Sequence, residues 1–437
     1  MTGVAVAKAA DPFIQGLLTG HETLPAHGEV VTRLRTEAAE KARRMGLPTP
    51  RDEEWRFTNL APMKAIAFTP APVTLLNAPN LERWTLPEAA GHRIVFVNGV
   101  FAPEWSDLEG LPAGVTVRPI AQGTNAQDAL VEAHLGRHAR FDSSVFAALN
   151  TAFVGAGAVV AIARHTTCKA PIHLLFVTVG GTEARALYPR VLVVAEPLSS
   201  ATIVQQYVSL NDGVCFTDAV TEVAVAEDAR LQHVTLQDES RSSYHIAHTA
   251  VSLGRNAVYG SQAITLGAAL SRHDLAVRQD GEGIDCTLQG LAFLADQQLA
   301  DTHSTLDHAT PHGTSRQLHK TILGDRSRAV FNGKILVRQG SQQTDSQQSS
   351  RNLLLSEGAR VDAKPQLEIF ADDVKCAHGA TVGQLEPDEV FYLQSRGLSE
   401  SAARSLLTYA FAAEVIDAIP VPTLRDRLKE EIMGRLV

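Results

Sequence analysis

The sequence feature that most constrains the fold is a long stretch, residues 154–370, in which short β-forming runs follow one another with hardly any helical periodicity. Four of these runs are 173–179, 201–208, 245–253 and 329–337, and Gly, Asn, Asp and Ser punctuate them. A sheet built from βαβ units needs a helical segment between successive strands, which this pattern does not provide. Two architectures therefore remain, a β-helix and an elongated sandwich.

A weak internal repeat favours the β-helix. Small or polar turn residues precede an alanine and then a β-former at Ala201, Ala229 and Ala257, which are spaced by 28 residues, and again at Ala329 and Ala359, which are 30 apart. A unit this short cannot bury its own apolar face, so successive units are expected to stack. Aromatic residues make up only 5% of the chain, and the small apolar side chains that dominate instead suit thin stacked layers.

The regions on both sides of this stretch have helical patterns. Residues 29–45 repeat apolar side chains at four-residue intervals, as expected for one face of a helix. We therefore predict an N-terminal helical domain at 1–91 and a β-helix core at 92–385, with a helical insertion near 126–150. Residues 386–437 combine helix-starting Pro and Ser with apolar positions at helical spacing, and they are predicted to form a C-terminal helical domain.

Charge and cysteine content exclude several classes of function. The formal net charge is −9, whereas nucleic-acid-binding surfaces have a basic excess, so no nucleic-acid partner is expected. The cysteines form no C-x-x-C pair, which argues against a preformed zinc site and against a disulfide framework. They are Cys168, Cys215, Cys286 and Cys376. The N-terminal segment lacks the basic-then-apolar layout of a secretory signal, so we expect a cytoplasmic protein.

One uncharged run, residues 145–163, is long enough to be considered as a membrane span. A spanning helix needs about 20 mostly apolar residues, but Asn150, Thr151, Gly155 and Gly157 interrupt this run. We therefore expect a helix that ends near Asn150, followed by a first buried strand, and no membrane association.

A first segment with possible metal ligands contains Asp301, His303, His308 and His312, with His319 further along. Imidazole and carboxylate groups at short spacing can bind zinc or iron. On a strand, Asp301 and His303 would face the same side. The segment lacks a helical H-x-x-x-H frame and contains a proline, which favours structural or solvated histidines over ligands.

A second candidate is the pair Cys376 and His378. Residues two apart on a strand point to one face, so both side chains could meet one metal ion. Two ligands do not close a metal site, and the others would have to come from another segment or another chain. The alternative is a buried thiol beside a capping histidine.

The sequence contains no recognisable self-contained active site. It lacks both the G-x-x-x-x-G-K-[ST] phosphate loop and the G-x-S-x-G elbow of serine hydrolases, so we expect that the chain is not an enzyme. The enzymatic alternative is a carbohydrate-active β-helix protein with paired carboxylates in a cleft. The candidate pairs are Asp301 with Asp307 and Asp372 with Asp373.

Several segments resemble the SufB/SufD family of iron–sulfur cluster assembly scaffolds, and most closely its SufD branch. The C-terminal signature is the most specific, and an E-x-W-R-[FY]-T motif and an H-x-x-P-H-x-x-S-x-Q segment accompany it. The segments are EWRFT (54–58), residues 301–320, SSRNLLLS (349–356), EIFADDVKCAHGATVG (368–383), FYLQSRGL (391–398) and YAFAAE (409–414). Together they span most of the chain.

The resemblance implies a mainly β fold, a right-handed β-helix flanked by helical domains. It also implies pairing with the paralogue SufB through the β-helix and docking of the ATPase SufC on the C-terminal helices, with a homodimer as the alternative for the isolated chain. Nascent iron–sulfur clusters are expected at the SufB–SufD interface, where the family's histidine matches His378 and Cys376 lies beside it. His378 is thus the implied metal ligand, and the cluster would be shared with SufB, because none is expected to bind stably to this chain alone. The residues expected to contact the ATPase are Phe391, Tyr392, Leu406, Leu407, Tyr409 and Phe411.

One position distinguishes the two branches of the family. SufB carries a cysteine where this chain has Arg351, which favours the SufD role and a partial ligand set. The alternatives are a SufB-like chain that itself acts as the cluster scaffold and the carbohydrate-active enzyme.

Overall fold

The computed structural model describes residues 11–24, 28–71, 81–123 and 128–435. Its centre is a β-solenoid in which successive strands alternate between two sheets, so that each coil of the chain contributes one strand to each sheet. Helical regions lie before and after the solenoid. The predicted β-helix core with helical flanks is therefore confirmed. The start of the chain, where no secretory signal is expected, lies outside the described residues.

Strands that neighbour one another within a sheet are parallel, except that β2 pairs with β3 and β4 with β5 in antiparallel fashion. The first sheet contains, in spatial order, β20 (Arg360–Ile369), β18 (Arg328–Val337), β16 (Leu299–His308), β14 (Leu270–Gln279), β12 (Tyr244–Leu253), β10 (Cys215–Val225), β8 (Arg190–Ala195), β5 (Gly157–Ile162) and β4 (Val115–Pro119). Beside this path, β7 (Arg185–Leu187) pairs with β10, and β1 (Thr69–Pro70) pairs with β7. The second sheet contains β21 (Val374–Gly383), β19 (Thr344–Leu354), β17 (Thr314–Leu323), β15 (Asp285–Leu294), β13 (Val258–Thr265), β11 (Arg230–Asp238), β9 (Ser200–Ser209), β6 (Ile172–Thr178), β2 (Arg93–Val97) and β3 (Val100–Phe101).

Helices occupy both flanks and the predicted insertion, of which residues 126–127 lie outside the described residues. They are α1 (Pro12–Leu17), α2 (Glu29–Met45), α3 (Ala61–Lys64), α4 (Ile120–Gly123), α5 (Ala129–His134), α6 (Val145–Ala152), α7 (Pro387–Ser395), α8 (Glu400–Ile416) and α9 (Pro422–Gly434). Since α6 is followed by the buried strand β5, the helix-then-strand prediction for 145–163 is confirmed. No helix in the described ranges is long and apolar enough to cross a membrane.

The coils differ in length, which corrects the predicted repeat. Strands β11 and β13 are offset by 28 residues, so Ala257 is equivalent to Ala229, as predicted. Strands β9 and β11 are offset by 30 residues, so Ala201 pairs with Leu231 and not with Ala229. Likewise, Ala329 pairs with Val361 and not with the predicted Ala359. The turns at the corners of the solenoid absorb these differences, because only the strands must stay in register.

The interior of the solenoid changes character along its length. In the early coils it is filled with buried apolar side chains, such as the aliphatic Val160 and Ile172 and the stacked rings of Phe96 and Phe176. In the later coils, polar side chains from the two sheets face one another. The Ser304 hydroxyl donates a hydrogen bond of 2.9 Å to the side-chain oxygen of Gln317. The ring centre of His319 lies 4.5 Å from that of Phe331 in the opposite sheet.

A buried ion pair holds the helical insertion against the solenoid. Arg190 in β8 and Glu222 in β10 are both fully buried, and the Arg190 Nε donates to Glu222 Oε1 at 3.1 Å. The same guanidinium donates to the Asn150 side chain in α6, and the carboxylate accepts from the backbone amides of Gly136 and His138. Burial alone would raise the pKa of Glu222, but Arg190 and these amides hold it below its usual value.

A second charged cluster, which we call the N-terminal clamp, fixes the EWRFT segment on the first sheet. The guanidinium of Arg272 donates to Asp301 at 2.7 Å and lies over the ring of Trp55, 3.9 Å from its centre. It also donates to the backbone carbonyl of Glu54 at 2.8 Å, and the Thr58 hydroxyl donates to Asp301 at 2.5 Å. These contacts connect the N-terminal region to strands far along the chain.

His303 completes the N-terminal clamp. Its Nε2 lies 3.0 Å from Asp301 Oδ1, and its Nδ1 lies 3.2 Å from Glu54 Oε2. Burial alone would lower the pKa of His303, but these two carboxylates raise it to about 9. The ring is therefore protonated at neutral pH, a state in which imidazole cannot bind a metal ion.

The C-terminal helices pack on the second sheet of the solenoid. Helices α8 and α9 bury one apolar face each against side chains of β9, β11, β13, β15 and β17. The helix side chains in this layer include Ala412, Val415, Ile416, Leu424, Leu428 and Ile432. This burial makes the C-terminal region an integral layer of the fold.

The N-terminal clamp should lose stability at alkaline pH. Because the pKa of His303 is about 9 in the folded chain and about 6.5 when unperturbed, its ion pairs stabilise the fold fully below about pH 6.5, and this contribution is lost as pH rises through about 9. The free energy of unfolding, measured by urea titration at several pH values, should therefore decline less over that window in His303→Gln than in the wild type. The exposed His312, changed to Gln, is the matched control. Equal declines in the wild type and His303→Gln would contradict the assignment.

Candidate functional site

The C-terminal end of the solenoid is formed by β20 and β21, the last strands of the two sheets. Each pairs on one side only, β20 with β18 and β21 with β19, and within the described residues no strand covers their outer edges. Most side chains of β21 are exposed to solvent. The last coil therefore presents two unpaired strand edges, each of ten residues.

Cys376 and His378 both lie on β21, as their spacing predicted. Cys376 pairs in register with Ser346, and His378 pairs with Gln348. Both of these partners are buried inside the solenoid. Cys376 and His378 therefore lie on the inward face of β21, at the open end of the solenoid. The thiol is half-buried, whereas His378 is exposed.

This pair can supply one thiolate and one imidazole to a metal ion. Burial raises the pKa of the Cys376 thiol, so the thiol is protonated at neutral pH and must release its proton when it binds a metal. Within residues 11–24, 28–71, 81–123 and 128–435, no group of three or more His, Cys, Asp or Glu side chains could hold a metal ion. A metal ion held by this pair would therefore need further ligands from outside these residues.

The histidines of the other candidate segment are not brought together. His303 belongs to the N-terminal clamp, and His308 and His319 are buried in the interior, where burial lowers their pKa values to about 4 and about 3. The His308 ring lies 3.1 Å from the Ser315 hydroxyl. These environments agree with structural histidines, the interpretation that the sequence favoured.

The carboxylates suggested for a carbohydrate-active site have other partners. Asp301 is bound by Arg272 in the N-terminal clamp, and Asp307 accepts two hydrogen bonds from Arg338. Carboxylates held in ion pairs are poorly suited to exchange protons with a substrate. The other suggested pair, Asp372 and Asp373, lies on an exposed turn just before β21.

The six residues expected to contact an ATPase fall into two groups. Phe391, Tyr392 and Leu406 are exposed by 70%, 56% and 41%, which is unusual for large apolar side chains. Tyr409 and Phe411 instead pack partly against the layer between α8, α9 and the second sheet. Leu407 is half-buried as well.

Sequence reasoning missed two further features of these surfaces. An apolar groove of about 560 Å³ continues from Leu406 and is lined by Leu398, Ala402 and Met433. Phe370, exposed by 63%, lies at the turn between β20 and β21 beside the unpaired edges. The family-like signature includes Phe370, and its large apolar side chain in a turn was the available signal.

Two family models match this chain over consecutive regions. One is described as the SufBD protein N-terminal region and matches residues 16–174. The other is described as the SufBD core domain of the SUF system for FeS cluster assembly and matches residues 176–411.

Several curated proteins are similar over nearly their whole length. An iron–sulfur cluster assembly SufBD family protein of Synechocystis is 40% identical, over 97% of this chain and 94% of its own. The iron–sulfur cluster assembly protein SufD of Escherichia coli is 35% identical, over 95% of both chains. The chloroplastic protein ABCI7 of Arabidopsis thaliana is 33% identical, over 99% of this chain and 92% of its own. The chain therefore belongs to the SufBD family of iron–sulfur cluster assembly proteins.

Proposed function

We propose that this chain is the SufD-type scaffold subunit of a SufB–SufC–SufD complex and that it catalyses no reaction itself. The observation that carries the proposal is the incomplete ligand pair on an unpaired terminal strand. An incomplete site at such an edge can be finished by a second chain that extends the sheets. The proposed location is the cytoplasm, where an ATPase partner has its nucleotide.

Pairing with the paralogue SufB is supported by the chemistry of the last coil. The outer N–H and C=O groups of β20 and β21 have no partner strand in the described residues, and such edges are templates for pairing with another chain. The exposed Phe370 and Val382 add apolar surface at the same end. In the absence of SufB, a second copy of this chain could use the same edges, which gives the expected homodimer.

In this role the iron–sulfur cluster is cargo that is assembled and passed on. His378 would supply one ligand, the Cys376 thiolate would be an auxiliary one, and SufB would supply the rest. Iron–sulfur clusters are held by several ligands, mainly thiolates and in some proteins histidines. This chain alone is therefore not expected to retain a cluster.

The SufD assignment over the SufB-like alternative is supported by Arg351. Where the resemblance places a cysteine in SufB, this chain has an arginine whose Nη1 donates to Glu414 Oε2 of α8 at 3.2 Å. The side chain at this position is therefore engaged in a contact with the C-terminal helices. It cannot act as a thiolate ligand.

Docking of the ATPase SufC is assigned to the C-terminal helices. Phe391, Tyr392 and Leu406 are exposed, and Leu406 also lines the apolar groove. Aromatic side chains of this kind supply much of the affinity at protein interfaces. The half-buried Leu407, Tyr409 and Phe411 would support the surface.

Replacement of His378 should sharply reduce cluster formation without unfolding the protein. His378 is exposed, so His378→Ala should change the free energy of unfolding by no more than about 0.5 kcal/mol. Loss of a ligand should lower iron and acid-labile sulfide per purified complex on the order of tenfold or more. Cys376→Ala should have a smaller effect if the thiol is auxiliary.

The matched control is His312→Ala, which removes another exposed histidine on a solenoid turn. Iron and sulfide are measured for each complex, and the thermal midpoint is measured for each isolated chain, which is not expected to hold a cluster. Normal cluster content in the His378→Ala complex, or cluster loss together with a lowered midpoint of the isolated His378→Ala chain, would contradict the assignment of His378 as a ligand.

Replacement of the exposed aromatic residues should weaken ATPase binding. Truncation of interface hot spots typically costs at least about 2 kcal/mol, which corresponds to a roughly 30-fold increase in Kd. We therefore expect Phe391→Ala combined with Tyr392→Ala to raise the Kd for SufC by this factor or more, as measured by calorimetry. Leu198→Ala, which truncates an exposed leucine on a solenoid turn, should leave it unchanged. A double variant that binds with wild-type Kd would refute this docking surface.

A further inference from the structure

Three side chains lie in a row across the outer face of the second sheet. In the strand register, Lys320 of β17 pairs with Arg351 of β19, and Arg351 pairs with Thr381 of β21. The row therefore runs from the solenoid body to the terminal strand that carries His378. Lys320 is 5% exposed, which is rare for a lysine without a charged partner.

A single carboxylate of the C-terminal helices bridges the first two members of this row. Glu414 Oε2, on α8, accepts hydrogen bonds from Lys320 Nζ at 2.7 Å and from Arg351 Nη1 at 3.2 Å. Lys320 Nζ also donates to the backbone carbonyl of Phe411 at 2.7 Å and lies 4.8 Å from the centre of its ring. We call Lys320, Arg351 and Glu414 the bridge cluster.

The connection continues from β19 to β21 through side chains. Asn352, next to Arg351, donates from Nδ2 to the backbone carbonyl of Thr381 at 2.9 Å and accepts from the Thr321 hydroxyl at 2.5 Å. The backbones of β19 and β21 are also paired directly with each other. A displacement of β19 would therefore also displace Thr381, which lies on the same strand as His378.

The bridge cluster and the docking surface share one helix. Leu406 and Glu414 both belong to α8 and are separated by about 12 Å along its axis at 1.5 Å per residue. The apolar contacts of α8, such as those of Val415 and Ile416, are non-directional and tolerate sliding. The charged hydrogen bonds of Glu414 depend on distance and angle, so they fix the position of the helix relative to β17 and β19.

We propose that Glu414 is a positioning residue that couples α8 to the ligand-bearing strand β21 through the bridge cluster. The inference rests on the proposed function, because it takes the ATPase to bind α7 and α8. A nucleotide-dependent shift of α8 by about 1–2 Å, a size typical of helix movements at interfaces, carries β19 with it while the bridge cluster holds. When the bridge cluster is broken, the helix moves over its apolar contacts and the strand stays in place.

The test uses the assembled complex of this chain with its solenoid partner and the ATPase. Hydrogen–deuterium exchange of residues 374–383 is compared with and without a non-hydrolysable ATP analogue, and the Kd for the ATPase is measured in parallel. Glu414→Gln and Arg351→Gln remove the charges of the bridge cluster, whereas Arg351→Lys keeps the positive charge. Glu400→Gln is the matched control, since it removes an exposed glutamate from the first turn of the same helix.

The wild type, Glu400→Gln and Arg351→Lys should show a nucleotide-dependent change of exchange in 374–383. In Glu414→Gln and Arg351→Gln this change should fall by at least half, while the Kd for the ATPase stays within about threefold of the wild type. A full response in both variants, or none in the wild type, overturns the coupling. If both variants lose ATPase binding, the bridge cluster only builds the docking surface and the coupling is again overturned. Failure of the wild type to bind the ATPase would instead refute the proposed function.

Discussion

The rest of the structure depends on the hydrogen-bonded ladder of parallel strands that joins each coil of the solenoid to the next. Backbone N–H and C=O groups in the middle coils find their partners in neighbouring coils, so only the two ends pose a problem. At one end, the short antiparallel strands β3 and β4 close the sheets, which is a common way to blunt an edge. At the other end, β20 and β21 are ten residues long, and within the described residues nothing pairs with their outer edges. The same strand therefore offers unpaired backbone groups and the candidate ligands Cys376 and His378.

The layers around the solenoid are attached by apolar burial but positioned by charge. Arg190 and Glu222 hold the helical insertion, Arg272 and Asp301 hold the EWRFT segment, and Glu414 ties α8 to two strands. Burying an ion pair has a desolvation cost that its attraction does not always recover, so such pairs are weak evidence of added stability. Their geometry is directional, however, and a layer that could otherwise slide over an apolar sheet is held in one register. In this protein, each charged cluster joins segments that are distant in sequence, which a local sequence pattern cannot reveal.

The sequence predicted the parts of the fold that follow from local periodicity. Alternating β runs without helices indicated the solenoid, and the four-residue spacing in 29–45 indicated α2. The two-residue spacing of Cys376 and His378 was enough to place them on one face of a strand. Coil lengths were not predictable, because turns of different length can connect strands in the same register, and Ala201 was therefore misaligned by two residues. The pattern also could not distinguish exposed Phe391 from half-buried Phe411. Both lie in helices that have apolar residues on more than one face, and which face is buried depends on packing against the second sheet.

An incomplete metal site on an unpaired edge links two equilibria. If a second chain supplies the missing ligands as it pairs with β21, the metal and the second chain must each strengthen the binding of the other by the same factor. The raised pKa of the Cys376 thiol adds the proton to this linkage, because metal binding to the thiolate releases it. A site closed within one chain would bind metal whether or not the complex had formed. In the proposed complex, the position of His378 on the open edge would make metal retention conditional on assembly. Arg351 and Glu414 would extend that dependence to the helix on which the ATPase is proposed to dock.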